Sequence, residues 1–370
     1  MATAGTENGD GHVAARRAFD ETKAGVKGLV DGGATTIPSF FYHPKPRFIP
    51  PPPPPHLSVP IIDFSLPRTS ILPAVVSAAC NWGFFQVINH SIPLPILSRA
   101  LSSARSFHEL PAAERSRYYS REYGGGVSYI SNVDLYSSSA ASWRDTLQIR
   151  MGPTPPDQEK IPAVCRQELN AWDTSARGLA RQVMGMLAEG MGVEEDRLEK
   201  ITCLNSRVLA CHYYPPCPEP EATAGLVDHS DPGVLALLLQ DDIGGLQIKK
   251  EGEDGECWWV DVKPVEGTVV VNVGDLLQVI SNDKYKSVHH RVLANSHKKA
   301  RASIAMFLNP DGRSESDLYG PLPELLSNEN PARYRNFTMS EFMRTFFSKQ
   351  LASKCLLDHF RIQSDDTKEV

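Results

Sequence analysis

The chain has 370 residues and a formal net charge of −6, with 38 lysines and arginines against 44 acidic residues. This balance, without a basic stripe interleaved with aromatic residues, argues against a nucleic-acid partner. The N-terminal region holds no continuous apolar run of the kind that a secretory signal or a membrane span requires, so we expect a cytoplasmic protein with no membrane partner. The seven cysteines show no CxxC pair or regular spacing, which predicts free thiols.

Residues 1–55 are predicted to contain one helix and a proline-rich linker. Apolar residues recur at helical intervals over 14–30, and Gly32 and Gly33 would end the helix. The six prolines at 50–55 predict a stiff polyproline II segment, which cannot enter the interior of a sheet. We interpret this run as a spacer, with a ligand for an SH3-like domain as the alternative.

Residues 56–162 are predicted to form an N-terminal subdomain in which strands and helices alternate. The predicted elements are strands at 59–64 and 83–90 and helices at 72–81 and 94–110. The glycines at 124–126 predict a mobile loop. The Trp143-Arg144-Asp145 triplet is interpreted as an aromatic residue beside an ion pair, with contact to a substrate as the alternative.

Residues 163–370 are predicted to begin with a long helix over 163–190, whose apolar stripe faces the core. Short β-rich segments separated by turns then predict an antiparallel sandwich or jelly roll, capped by helices at 337–347 and 349–357. The strands are predicted at 208–213, 235–240, 246–249, 258–260, 268–273, 287–293 and 302–308. The predicted fold class is therefore mainly β with flanking helices.

A candidate metal site begins at His229 and Asp231. Residues at i and i+2 of an extended strand point to the same face, so both side chains could bind one ion. A third ligand would come from a distant antiparallel strand, where His289 and His290 are available. Two histidines and one carboxylate form the ligand set of non-haem Fe(II) oxygenases. The His-x-Asp triplet alone is weak evidence, because such pairs often only share a hydrogen bond.

A second candidate site is the Arg301-Ala302-Ser303 triplet. On a strand, Arg301 and Ser303 would present a planar guanidinium and a hydroxyl on one face, a pair that suits a carboxylate. A zinc site around Cys211, His212 and Cys217 is a competing possibility. It lacks a second pair of ligands at the spacing of structural zinc sites.

With these residues in place, the sequence resembles the plant soluble 2-oxoglutarate and Fe(II)-dependent dioxygenases over nearly the whole chain. The resemblance implies a double-stranded β-helix (jelly roll) core, an N-terminal α/β subdomain, and iron held by His229, Asp231 and His290. The family ligand stands directly before Arg-Val, which selects His290 and turns His289 to the opposite face. The shared motifs, in the family's order, lie at 60–63, 83–90, 213–218, 229–233, 245–247, 271–275, 281–282, 290–292 and 301–303.

The resemblance also implies 2-oxoglutarate and O2 as cosubstrates, with ascorbate in a supporting role. Arg301 and Ser303 would bind the distal carboxylate of 2-oxoglutarate, with Tyr214 assisting. The cosubstrate would be decarboxylated to succinate and CO2 while a hydrogen is removed from the substrate. Phe307 would face the pocket where relatives stack a ring substrate, and Asn132 is a further candidate for substrate contact.

Two positions depart from the commonest family pattern. Ser230 stands where threonine is usual, which is a mild change. His212 stands where asparagine is frequent, two residues before Tyr214. We interpret His212 as a core histidine whose hydrogen bonds are satisfied, and contact with cosubstrate or substrate is the alternative.

The segment at 18–31 resembles the extension of aminocyclopropane-carboxylate oxidase homologues and of the dioxygenase that acts on benzoxazinoid glucosides. The ethylene-forming oxidases themselves lack it. This resemblance implies a hydroxylase of a specialised, aromatic or glycosylated small molecule. Separately, we expect a monomer. The alternatives are a desaturase of the same family, an ascorbate-dependent oxidase of the aminocyclopropane-carboxylate type, and a catalytically silent jelly-roll binding protein.

Overall fold

The computed structural model describes residues 7–43, 52–122, 126–252, 254–311, 317–348 and 356–363, with side chains from residue 12 onward. None of its described helices is both long and apolar enough to cross a membrane. The helices are α1 (Glu7–Glu21), α2 (Gly25–Asp31), α3 (Arg68–Asn81), α4 (Leu94–His108), α5 (Ala112–Arg115), α6 (Ala163–Met191), α7 (Arg197–Lys200), α8 (Asp275–Ile280) and α9 (Met339–Ser348).

The strands form one large sheet, one small sheet and a short separate pair. The large sheet has eight strands in the order β1-β2-β10-β7-β12-β5-β4-β3, and the small sheet has four in the order β6-β11-β8-β9. The strands are β1 (Ile61–Asp63), β2 (Phe84–Ile88), β3 (Val127–Ile130), β4 (Asp145–Arg150), β5 (Ser206–Tyr214), β6 (Ala224–His229), β7 (Leu235–Gln240), β8 (Leu246–Glu251), β9 (Cys257–Asp261), β10 (Val269–Val273), β11 (His290–Leu293), β12 (Arg301–Asn309), β13 (Leu318–Tyr319) and β14 (Phe337–Thr338).

The two faces of the large sheet have different neighbours. Ile304 and Met306 of β12 belong to the main hydrophobic core, which also contains Trp172 of α6. The alternate residues of the same strand point the other way. On that side, which we call the inner face, Phe84 of the large sheet and Ile248 of the small sheet share one apolar cluster. This two-sheet arrangement, mixed with helices, is consistent with the predicted jelly-roll core.

The long helix and the β-rich region agree with the sequence prediction. Helix α6 runs from Ala163 to Met191, and Gly192 ends it in the left-handed conformation with φ of 83°. Its predicted apolar stripe is buried in the main core, including Leu169 and Val183. All seven strands predicted after residue 207 are present, although β11 begins only at His290.

The prediction of one N-terminal helix over 14–30 is wrong, because the chain forms α1 and α2 with a break between them. Lys23 has φ of 53° at this break, outside the helical region. The side chain of Asp145 accepts hydrogen bonds from the backbone N–H groups of Val26 and Lys27, both at 2.8 Å. This carboxylate satisfies donors at the start of α2 that have no partner within the helix.

Several elements escaped the sequence analysis. Strands β3, β4 and β6 were not predicted, and neither was the six-residue helix α8, which begins at Asp275 with Gly274 as its N-cap. Partners from distant parts of the chain contribute to the conformation of these elements, as in the pairing of β4 with β5 and of β6 with β11. Parts of the predicted polyproline segment, glycine loop and last helix, at 50–51, 124–125 and 349–355, lie outside the described residues.

The sequence ranges 56–162 and 163–370 contribute to one sheet. Strands β1 and β2 extend one edge of the large sheet through β10, and β3 and β4 extend the other through β5. The first region packs on this body through a separate cluster, in which Phe19 and Phe41 accompany Trp143 and Cys217. The large sheet is therefore continuous across both ranges, whereas His229 and His290 lie on β6 and β11 of the small sheet.

Candidate active site

Sheet pairing brings the three predicted metal ligands together. His229 is the last residue of β6 and is paired with His290, the first residue of β11. Asp231 follows two residues after His229 and is 7% exposed. Its Oδ1 atom lies 3.5 Å from Nε2 of His229 and 3.7 Å from Nε2 of His290. Three ligand atoms thus converge on one small volume.

The remaining polar atoms of these side chains are held by neighbours. Nδ1 of His229 lies 2.8 Å from the carbonyl oxygen of Val227, and Nδ1 of His290 lies 3.4 Å from that of Val288. A carbonyl oxygen only accepts, so each Nδ1 carries the proton and each Nε2 keeps its lone pair for a metal. The unused oxygen of Asp231, Oδ2, accepts a hydrogen bond at 2.6 Å from an outer partner, Asn272 of β10.

The protonation states also suit a metal centre. Burial alone would raise the pKa of Asp231, but His290, His229 and the Asn272 amide hold that pKa below its usual value. Burial and the neighbouring His229 lower the pKa of His290 to about 4. At neutral pH the site therefore presents an ionised carboxylate and a neutral His290 imidazole, the forms that bind a metal. Two imidazole nitrogens and one carboxylate oxygen fit Fe(II).

The competing zinc site around Cys211, His212 and Cys217 does not form. Within the part of the chain that the structure describes, His229, Asp231 and His290 are the one group of histidine, cysteine or acidic side chains close enough to share an ion. The described cysteines are all free. Burial raises the pKa of the Cys217 thiol to about 12, which disfavours the thiolate that a metal requires.

A buried arginine stands on the inner face beside this group. Arg301 opens β12 and is 2% exposed. Its guanidinium donates to Oγ of Ser303 and to Oε1 of Gln240, both at 3.0 Å, and its Cζ lies 4.9 Å from the centre of the Tyr214 ring. The predicted common face of Arg301 and Ser303 is present. Gln240 was missed, because its place beside Ser303 depends on the pairing of β12 with β7.

The charge of Arg301 has no internal counterpart. Among the described residues no carboxylate forms an ion pair with it, and its Nε atom is buried without a hydrogen-bond partner. A buried cation without a partner is costly, whereas a bound carboxylate would satisfy both its charge and its donors. The geometry therefore suits an anionic ligand from outside the chain.

Comparison with known proteins agrees with this geometry. The family model described as the 2OG-Fe(II) oxygenase superfamily matches residues 205–310, which include the three ligands and Arg301. A second model, described as the N-terminal region of non-haem dioxygenases in morphine synthesis, matches residues 59–174. The 1-aminocyclopropane-1-carboxylate oxidase homolog 6 of Arabidopsis thaliana is 42% identical over 354 residues, covering 94% of this chain and 97% of that protein. The chain belongs to the 2OG-Fe(II) oxygenase superfamily.

Other relatives of this oxygenase point the same way. Homolog 12 of the same Arabidopsis group is 43% identical over 358 residues, covering 94% of this chain and 96% of that protein. Among solved structures, JOX2 in complex with 2OG, Fe and JA has a TM-score of 0.79 at 30% identity, covering 92% and 98% of the two chains. The rice dioxygenase for auxin oxidation has a TM-score of 0.69 at 24% identity, covering 82% and 100%, and shows the fold alone. The protein is a 2-oxoglutarate-dependent dioxygenase that uses Fe(II).

Of the two adjacent histidines of the oxygenase, the structure places His290 in the candidate metal group with His229 and Asp231. His289 points away from the metal group, and its Nδ1 lies 2.6 Å from Oδ1 of Asp228. Its side chain is 38% exposed, against 9% for His290. The hydrogen bond to Asp228 raises the pKa of His289. Strand alternation therefore separates a metal ligand from a surface ion pair.

Sequence reasoning missed two residues that support the metal group. Asn272 fixes one oxygen of Asp231, and its position inside the motif at 271–275 was the available signal. Asp275, at the start of α8, donates its backbone N–H to the carbonyl oxygen of Asp231 at 2.7 Å. The Asp275 carboxylate accepts at 3.1 Å from Ser230, one of the two departures from the family pattern. Burial raises the pKa of Asp275 to about 6. The start of helix α8 is thus hydrogen-bonded to the loop that carries Asp231.

The remaining predicted contacts occupy different environments. Phe307 lies on the inner face of β12 with Arg301 and Ser303, and it is half-buried. The amide of Asn132 is engaged by the backbone of Ser142, accepting from its N–H at 2.8 Å and donating to its carbonyl at 3.0 Å. Phe307 therefore lies on the face that carries Arg301, whereas Asn132 joins two parts of a loop through its hydrogen bonds to Ser142.

His212 also lies on the inner face, between Thr146 of β4 and Ser303 of β12. Its Nδ1 lies 2.9 Å from Oγ1 of Thr146. Burial lowers the pKa of His212 well below its usual value, and the charges of Arg144 and Arg301 lower it further. His212 is therefore a neutral imidazole at physiological pH.

Proposed function

We propose that this oxygenase hydroxylates an aromatic or glycosylated specialised metabolite, and that Arg301 anchors its 2-oxoglutarate. The observation that carries the cosubstrate assignment is the buried Arg301 guanidinium without a carboxylate partner in the described chain, on the face that leads to the metal ligands. In this proposal Arg301 and Ser303 bind the distal carboxylate of 2-oxoglutarate, and Tyr214 packs against the guanidinium.

The metal ligands and their supports define what the chain contributes. Iron, when bound by His229, Asp231 and His290, supplies the reaction of O2 with 2-oxoglutarate, which yields succinate and CO2 and oxidises a C–H bond of the substrate. Asn272 keeps Asp231 in one orientation by holding its second oxygen. The burial of all three ligands excludes bulk water from the reacting atoms.

The substrate is proposed to lie against Phe307. Alternate residues of β12 place Arg301, Ser303 and Phe307 on the inner face in that order, so cosubstrate and substrate would follow one another along the strand. The exposed part of the Phe307 ring can stack on an aromatic substrate. Asn132 is left out of the proposed contact because its amide is already engaged by Ser142.

The finer assignments of fold and group are part of the same proposal. Residues 163–370 would form the jelly-roll core with its supporting helix, and 56–162 the N-terminal subdomain that extends the large sheet. The named Arabidopsis relatives support placement in the group of oxidase homologues, since they match 94% of the chain. The free thiols support a reducing, cytoplasmic location.

A metabolite screen scored by succinate release tests the proposed function. We expect succinate in proportion to a hydroxylated product when Fe(II), O2 and 2-oxoglutarate are present, and no succinate with the His290→Ala variant. The same screen without 2-oxoglutarate, with ascorbate present, separates an oxidase of the aminocyclopropane-carboxylate type. Turnover that does not need 2-oxoglutarate would contradict the proposal, and a product that has lost two hydrogens would replace hydroxylation by desaturation.

A further inference from the structure

Strand β4 extends the inner face beyond the residues assigned to 2-oxoglutarate. Thr146 of β4 is paired with His212 of β5, and His212 is paired with Ser303 of β12. These three residues therefore share one face of the sheet. Arg144 stands directly before β4 and two residues before Thr146, so alternation places its side chain on the same face. The charge of Arg144 acts on His212 together with that of Arg301, which is consistent with this placement.

The interpretation of Trp143-Arg144-Asp145 as an aromatic beside an ion pair is wrong. Asp145 points to the opposite face, where its carboxylate accepts from the backbone N–H groups of Val26 and Lys27. Trp143 is fully buried in the cluster formed with the N-terminal region. The side chains of these three neighbours thus lie in three different environments, and Asp145 is not available to form an ion pair with Arg144.

The guanidinium of Arg144 has no partner in the described chain. Its Nε atom is buried without a hydrogen bond, and none of the ion pairs among the described residues includes it. In contrast, several arginines on the outer surface have acidic partners, such as Arg181 with Glu199 at 2.8 Å. A half-buried guanidinium without an anion retains a cost that a bound carboxylate would remove.

The surrounding wall is cationic. Along β4, β5 and β12 the inner-face positions carry Arg144, Arg150 and Arg301, and none of the described residues at these positions is acidic. Arg150 has interactions of its own. Arg301 is reserved for the distal carboxylate of 2-oxoglutarate in the proposed function, whose other end belongs to the iron. One cation, Arg144, is then left without an anion.

We propose that Arg144 binds a carboxylate of the substrate, so that this oxygenase acts on an organic acid. The inference rests on the proposed function and narrows its substrate class. A planar guanidinium accepts a carboxylate through two parallel hydrogen bonds, which fixes orientation as well as position. Arg144 would hold the acid end while the apolar body of the substrate lies toward Phe307. Arg144 is thus a binding residue that determines specificity.

The test uses matched pairs of acids and amides as probes. Benzoate, phenylacetate and 3-phenylpropionate, each beside its uncharged amide, are titrated by calorimetry into the full-length protein loaded with Fe(II) and saturating 2-oxoglutarate, without oxygen. Saturating 2-oxoglutarate keeps the probes away from Arg301. We expect at least one acid to bind the wild type about 10- to 100-fold more tightly than its amide.

Variants assign that preference to one side chain. Arg144→Gln should remove the preference for the acid, and Arg144→Lys should keep part of it, because a point charge replaces the planar fork. Arg181→Gln on the outer surface is the matched control and should keep it in full. Equal binding of acid and amide by the wild type, or an undiminished preference in Arg144→Gln, would overturn the inference.

The same samples separate this inference from the proposed function. Binding of 2-oxoglutarate to the iron-loaded protein depends on Arg301 and should be the same in wild type and Arg144→Gln. If 2-oxoglutarate fails to bind the wild type, the proposed function fails. If 2-oxoglutarate binds and none of the acids is preferred, only the role of Arg144 fails.

Discussion

The buried polar atoms of the metal ligands have protein partners, whereas two arginines on the inner face along β4, β5 and β12 lack an acidic partner among the described residues. Around His229, Asp231 and His290, each atom that does not face the metal has a protein partner, such as Val227 or Asn272. On the wall, Arg301 and Arg144 each retain a buried Nε without a partner among the described residues. The first region is preorganised by the chain itself, whereas the second is proposed to be completed by anions from outside the chain.

We expect the strongest loss of function when one of the three metal ligands is removed. His290→Ala removes one of three ligand atoms, so Fe(II) affinity should fall by more than about 100-fold, since even outer hydrogen-bond partners contribute about 10- to 100-fold. His289→Ala is the matched control, because His289 pairs with Asp228 away from the metal. Anaerobic metal titration measures both variants. The opposite order of effects would mean that the register of β11 is shifted by one residue.

The next prediction concerns the Arg301 guanidinium, which has no acidic partner among the described residues. Arg301→Lys keeps the charge but loses the planar fork that contacts Ser303 and Gln240, so 2-oxoglutarate should bind about 10- to 100-fold more weakly. Iron affinity should not change, because Arg301 touches none of the ligands. Calorimetric titration of 2-oxoglutarate measures the effect, with Arg181→Lys as the surface control. An unchanged affinity in Arg301→Lys would remove the cosubstrate assignment.

A smaller effect tests whether the metal region is preorganised. Asn272→Ala leaves all three ligands in place but frees the second oxygen of Asp231, so Fe(II) affinity should fall by about 10-fold. Asn170→Ala on the surface of α6, where the amide donates a hydrogen bond to Gln158 at 2.6 Å, should leave iron affinity unchanged. If both variants bind iron like the wild type, the orientation of Asp231 does not depend on its outer partner.

The last prediction concerns the buried carboxylate of Asp283, which has partners within the chain. Asp283 is 8% exposed; burial alone would raise its pKa, but hydrogen bonds from Arg361, Tyr334 and Gln278 lower the pKa to about 2. Because the folded-state pKa lies below the unfolded value, the stabilisation is present above about pH 4 and is lost as the pH falls toward 2. The half-exposed Arg361 limits it to about 1–2 kcal/mol.

Thermal unfolding of metal-free protein between pH 6 and pH 2 measures this contribution. We expect Asp283→Asn to be less stable than the wild type at pH 6 and the difference to shrink toward pH 2. Asp311→Asn, near the end of the described β-rich region, is a control at a carboxylate whose partner is the neutral Asn205. A difference that grows as the pH falls would contradict the internal pairing of Asp283.

The metal site could be predicted from the sequence more completely than the inner face along β4, β5 and β12. Strand alternation was enough to place His229 beside Asp231, and the resemblance to the family motif at 290–292 selected His290 over His289. The partners Asn272 and Gln240 come from other strands, so their roles depend on a register that one sequence does not specify. Long-range contacts therefore account for most of what was missed.

Two errors in the N-terminal half both involve Asp145. The predicted single helix over 14–30 is divided because Asp145, more than a hundred residues away, binds the N–H groups that start α2. The predicted ion pair with Arg144 fails because adjacent residues at the start of a strand point to opposite faces. Arg144 was thereby freed for the inner wall, an outcome that local charge patterns conceal.

In our proposal the metal group and Arg301 together bind Fe(II) and 2-oxoglutarate in one cavity. Titrating 2-oxoglutarate into anaerobic Fe(II)-loaded protein, while recording the metal-to-ligand charge-transfer absorption, tests it most directly. We predict a saturable band in the wild type, no band in Asp231→Ala, and a band that needs more 2-oxoglutarate in Arg301→Lys. A wild-type protein that develops no band, or an Asp231→Ala variant with the full band, would contradict the account.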